Sequence, residues 1–367
     1  MDNRIALSVL DVAPILSGFD ASTTIANTRD LARHCERLGY RRYWFAEHHN
    51  LAMIASSAPE VLIADVAGAT ETIRVGAGGM MLPNHSPLHV AEQFGLLASM
   101  HPGRIDLGIG RATGTDAHTA LALRPGHGDF EAELSRLLHF LRDDHPDDHP
   151  DARIRAVPRA PEPAELWLLG SSDHSAELAG RLGLGFAYAH HIGLNRGLTS
   201  LRAHRAAGDR SAHDVPSCGL LAVSVVIGSD DRDAERLAAS VDHAWLTMAL
   251  ARVGPLLSPE EVLRMDRTDD ERQMIALNRE RHIVGGPETV RRRLQDLIDR
   301  SGADELMVLS LIHDHRLRRR AYELLADLPL AAAPDSSHAA LPTDDLGAHS
   351  RLSSALPCTA GGGQTRR

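Results

Sequence analysis

The chain contains no lysine: all 39 basic side chains among its 367 residues are arginine. That absence excludes chemistry that needs a side-chain amine, including PLP Schiff bases, lysine aldolases and the Walker A phosphate loop. Aromatic residues make up only 4%, the formal charge is -10, and no basic stripe is visible. A nucleic-acid interface, which sets cations against phosphate and rings against bases, is therefore not expected. The three cysteines, Cys35, Cys218 and Cys358, lie far apart and form no CxxC motif. A reducing compartment and no disulfide framework is the simplest reading. No apolar run approaches the ~20 residues a membrane span requires. The opening MDNRIALSVLDVAP lacks an apolar segment with a small-residue cleavage site, so a cytoplasmic protein without a membrane partner is expected.

What is present is alternation. Strand-like runs at Arg4–Val9, Arg42–Ala46, Ile73–Gly76, Ile105–Gly110, Leu166–Leu169, Gly185–Ala189, Leu220–Ile227 and Glu305–Leu311 are separated by helical patterns. Such alternation argues for a parallel sheet with helices outside it. About eight strands, and no GxGxxG after the first, favour an α/β (β/α)8 TIM barrel over an open doubly wound sheet. The pattern breaks over residues 113–163, which hold one helical stretch (Phe130–Leu141) and the acidic run DDHPDDHPDAR. This reads as an insertion after strand 4, with His127, His145 and His149 solvated. Residues 1–330 are read as the barrel. Residues 331–367, rich in Ala, Ser, Pro, Asp and Gly, are read as a disordered tail.

In such a barrel the functional groups follow the C-terminal ends of the strands. After the second strand comes Glu47-His48-His49, a candidate acid–base histidine oriented by Glu47, or simply a polar loop. After the third come Gly78 and Gly79, suited to close approach by a flat ring or to a turn. Gly110-Arg111 follows the fourth and suits a phosphate or carboxylate, or a structural ion pair. After the fifth, Ser171, Ser172 and Ser175 open a helix, where amides and hydroxyls bind an anion or merely cap. His190-His191 and His313-Asp314-His315 follow later strands, and no metal site is expected at either pair. Together these groups outline a site for a phosphorylated planar cofactor, without naming it.

The runs LGYRRYWFAEHHN and IRVGAGGMMLPNHSPLHVAEQFGLLASMHPGRIDLGIGR, with the closing IHDH, resemble the bacterial luciferase-like flavin monooxygenase family. The resemblance spans residues ~1–330 in element order and is densest over residues 38–111; a subgroup found in aromatic polyketide biosynthesis is the most similar. It implies a (β/α)8 barrel, usually a homodimer, that takes reduced FMN from a separate flavin reductase and uses O2 to oxygenate a small organic substrate. It places the catalytic histidine at His48 beside Glu47, and a non-proline cis peptide at Gly78-Gly79. Flavin contacts fall at Gly110 and Arg111, the latter on the phosphate, and at Ser171, Ser172 and Ser175. There are departures. Gly110 stands where luciferase has a reactive cysteine, Ser171 where it has glutamate, and Thr113 where the subgroup has proline. Thiol-dependent behaviour and light emission are therefore not expected. Two alternatives remain: a barrel of the same fold using deazaflavin F420 for hydride transfer, and a non-catalytic flavin-binding protein.

Overall fold

Parallel strands β1 (Ala6–Asp11), β2 (Arg42–Phe45), β3 (Arg74–Met81), β4 (Ile105–Gly110), β5 (Glu165–Gly170), β6 (Gly185–Ala189) and β7 (Gly219–Ile227) pair in sequence order. The strand β9 (Glu305–Leu309) closes the ring by pairing with both β7 and β1. This is a computed structural model, and it describes residues 4–124, 128–194, 198–210 and 218–333. The architecture is the closed (β/α)8 barrel the alternation implies. The strands are buried on both faces, as a parallel sheet under helices must be.

One strand departs from the expected set. The short β8 (His282–Gly285) pairs with the upper half of β7, joining Ser224 to His282 and Ile227 to Gly285. The lower half of β7 remains with β9. β8 is a branch on the barrel's upper rim. It is reached through helices Asp231–Ala249, Pro259–Leu263 and Asp269–Asn278.

The barrel floor is polar. Arg42, 0% exposed, donates to Glu305, to Asp106 at 2.9 Å and to Glu165 at 3.0 Å. Ser8 donates to Glu305, and Trp44 Nε1 donates to Asp106 at 2.8 Å. Burial works against the Arg42 charge, but Asp106, Glu305 and Glu165 outweigh it and fix the guanidinium as a cation. Above this layer Trp44 and Trp167 meet edge to face, with centroids 5.4 Å apart.

Among the described residues the insertion holds two helices, Ala117–Leu123 and Phe130–Arg142. His145 is not solvated as the acidic run suggests. Its ring lies between those of His139 and His149, and both its nitrogens are shut from solvent without a partner. His127 lies outside the described residues. At the far end, Ala331 forms an antiparallel bridge to Arg4, so the chain is still attached where the tail is expected to start. Residues 334–367 lie outside the described residues.

Candidate active site

The segment after β2 carries the acidic and imidazole groups. Glu47 is 0% exposed and accepts four sets of hydrogen bonds. They come from Met81 N at 2.7 Å, His49 Nε2 at 2.8 Å, Asn84 Nδ2 at 2.9 Å, and His85 Nε2 at 2.9 and 3.0 Å. Burial pushes this carboxyl up, but the His85 hydrogen bond and charge, with Asn84 and His49, hold it below the usual carboxylate range. Glu47 is thus an anionic knot that ties the ends of β2 and β3 together.

His48 is not oriented by Glu47, contrary to the expectation from the dipeptide. Neighbours on extended backbone point to opposite sides. The His48 Nδ1 instead lies 3.2 Å from the Gly114 carbonyl. A carbonyl only accepts, so Nδ1 carries the proton and Nε2 presents a lone pair. Burial lowers the His48 pKa, opposed in part by the Gly114 carbonyl and the Glu47 charge. The ring is a neutral base at neutral pH. Gly114, Asn84 and His85 are functional neighbours that the strand-end reading did not assign. The polar loop PNHSP was the available signal for the latter two; a backbone carbonyl leaves none.

Gly78 and Gly79 sit on β3 at a bulge, where Gly78 pairs with Gly108 and Met80 with Ile109. The bond between them is cis. A Cβ on Gly78 would lie 2.9 Å from Trp44 Cε3, and one on Gly79 2.8 Å from the Gly108 carbonyl. Both positions therefore need glycine for packing, and the bare backbone at the mouth follows from that. At Gly110 a Cβ would stand 2.6 Å from Met81 Sδ.

Arg111 is exposed and makes no hydrogen bond or ion pair among the described residues. The register of β4 and β5 pairs Ile109 with Leu168, which sets Arg111 level with Gly170, just before Ser171. Ser172 caps the helix Asp173–Leu182 through the Ser175 amide, and Ser175 is buried against it. Ser171 is exposed. The capping role of Ser172 is thus real, but an uncommitted guanidinium and a serine-bearing helix start remain side by side. This donor set fits a dianionic phosphate. His313 and His315 do not converge. His313 meets Ser17 at 3.2 Å, and His315 meets Asp30 at 2.7 Å.

Residues 7–305 match the profile of the luciferase-like monooxygenase family. A luciferase-like monooxygenase of Escherichia coli (strain K12) is 39% identical over 331 residues, covering 89% of this chain and 98% of that protein. The N-acetyl-S-alkylcysteine monooxygenase of Bacillus subtilis (strain 168) is 36% identical over 336 residues, covering 89% and 99%. The crystal structure of apo-MsnO8 is similar, with a TM-score of 0.81 at 37% identity over 90% of this chain and 98% of that one. The barrel, the strand-end residues and these likenesses agree, and the chain belongs to the luciferase-like monooxygenase family.

Proposed function

We propose that this enzyme is a two-component, FMN-dependent monooxygenase that receives reduced FMN from a separate reductase and oxygenates a small organic compound with O2. Bound FMN would supply the oxygen activation. The observation that carries the reading is the unpaired Arg111 beside the Ser171–Ser172 helix start, at the same barrel end as a neutral His48. Arg111, the Ser171 hydroxyl and the free amides after Ser172 hold the phosphate. Gly78, Gly79 and Gly110 leave bare backbone for the ring. His48 takes a proton at Nε2, while its Nδ1–H stays on the Gly114 carbonyl. Glu47 positions β3 and the His85 loop and does not touch the reacting atoms.

The reading extends to a cytoplasmic homodimer for which polyketide-type natural products are the first substrates to screen. Val61, Leu96 and Met100 support the dimer. They are 62%, 51% and 55% exposed on the touching helices Pro59–Ala69 and Pro87–Met100.

The test is to load the protein anaerobically with reduced FMN, add oxygen, and follow flavin absorbance in a stopped-flow instrument. Reoxidation delayed well beyond that of free FMN supports the monooxygenase. Reoxidation at the free-flavin rate removes it and directs attention to F420 binding.

A further inference from the structure

The mouth holds a second set of imidazoles that the roles above leave unused. His191 lies on the short helix His190–Gly193 directly after β6, and its Nδ1 is 3.3 Å from the Ala222 carbonyl. By the same logic as at His48, Nδ1 carries the proton and Nε2 presents a lone pair. That Nε2 has no hydrogen-bond partner among the described residues. His282 opens β8 opposite Ser224 and shares its face. Ser224 lies on the inner side of β7, the side on which Leu220 pairs with Glu305 of the floor. The His282 ring is 1% exposed, and its Nδ1 lies 2.8 Å from Ser224 Oγ. Its Nε2 is sealed from solvent and meets no partner among the described residues.

Ala222 and Ser224 are successive positions on that inner face of β7, so the two rings attach to one stretch of the same strand. A charge on His48 disfavours one on His191, and a charge on His191 disfavours one on His282. Burial is the larger effect; it pushes His191 down to about 4 and His282 down to about 3. Both rings are neutral at neutral pH. The adjacent Arg281 is engaged by the carbonyls of His191 and Ile192. An unpartnered buried nitrogen costs about 1–3 kcal/mol, and a native site that keeps one calls for an explanation.

We propose that His191 and His282 bind the organic substrate through a neutral hydroxyl group, phenolic or alcoholic. The word substrate here rests on the monooxygenase reading. A hydroxyl is the group that meets both rings. Its proton is donated to the bare Nε2 of His191, and its oxygen accepts from Nε2–H of His282, which the ligand reaches by parting the packing around that ring, while Ser224 donates to Nδ1. A carboxylate would set lone pairs against the lone pair of His191, and the nearby guanidiniums are not free to pair with it: Arg279 is held by Asp242 and Glu235, and Arg281 by the carbonyls of His191 and Ile192. A hydrocarbon would leave both nitrogens unmet.

The experiment uses full-length protein with nitrogen-15-labelled histidine, loaded with oxidised FMN and titrated with phenol, benzoate or toluene. Phenol is expected to move the ring-nitrogen resonances of His191 and His282, and benzoate and toluene to leave them in place. His282→Phe is expected to weaken phenol binding by roughly tenfold or more with FMN affinity unchanged. Absence of phenol binding, binding without ring-nitrogen shifts, or an equal response to benzoate overturns the proposal. If the variant does not fold, the wild-type shifts alone decide. Failure of the monooxygenase reading is separately visible. Bound reduced FMN would then reoxidise at the free-flavin rate while phenol still shifted both rings, and the hydroxyl site would stand without that reaction.

Discussion

Glu47 is a carboxylate shared by four donor groups, while His48, one residue on, hangs from a backbone carbonyl. The two therefore respond differently to substitution. His48→Ala is expected to retain FMN binding and lose product formation by about 10²–10⁴-fold, the usual worth of a positioned base. Unchanged turnover would remove His48 from the chemistry. Arg111→Ala should weaken FMN by roughly tenfold or more, the worth of one charge-assisted hydrogen bond, and leave riboflavin binding unaltered. Titration of both ligands by fluorescence checks this, and equal losses would end the phosphate role. The buried imidazoles also set a pH dependence. His191 and His282 have folded pKa values near 4 and 3, below the unfolded 6.5. The unfolded chain takes up protons first on acidification. Their contribution is fully present above pH 6.5 and is lost as pH falls toward 4 and then 3, on the order of 3 kcal/mol for His191. Urea unfolding between pH 7 and 4 should show this slope, and a His191→Gln variant should flatten it. The strand-end rule nominates His48, Gly78, Gly79 and Arg111 from order along the chain alone. The Gly114 carbonyl and the Ser224–His282 contact were hidden, because both join segments far apart in sequence.

At the scale of elements, glycine governs how closely the strands approach. A Cβ at Gly108 would meet the Ala77 carbonyl and stand 2.7 Å from Leu169 Cδ1. Gly108→Ala is expected to cost about 1–3 kcal/mol through overpacking between β3 and β4. A melting temperature equal to wild type would show that the strands part freely. The barrel strands were legible because a buried parallel strand is a short apolar run between turns. β8 was not, being four residues long after a charged stretch. The helix Asp269–Asn278 escaped for a related reason: none of its residues is buried, so it has no apolar stripe. Its Thr268–Glu271 capping box, and the Ser258–Glu261 box that opens Pro259–Leu263, are the sequence marks by which these two helices could be read.

At the scale of the whole molecule, the exposed apolar residues Val61, Leu96 and Met100 bear on assembly. Val61→Glu with Leu96→Glu should convert a dimer into a monomer in sedimentation, without unfolding the barrel. A wild-type monomer at micromolar concentration would refute the dimer. The floor has a different bearing. With Arg42 locked among Asp106, Glu165 and Glu305, and two tryptophans meeting edge to face above it, the barrel is a vessel stoppered at one end. Traffic to His48 then shares a single doorway. On the proposed function, flavin, oxygen and the compound to be oxidised would share that rim, and what enters last would leave first. Order of addition becomes a property of the architecture: a spent product lingering at the rim would block exchange of the flavin beneath it.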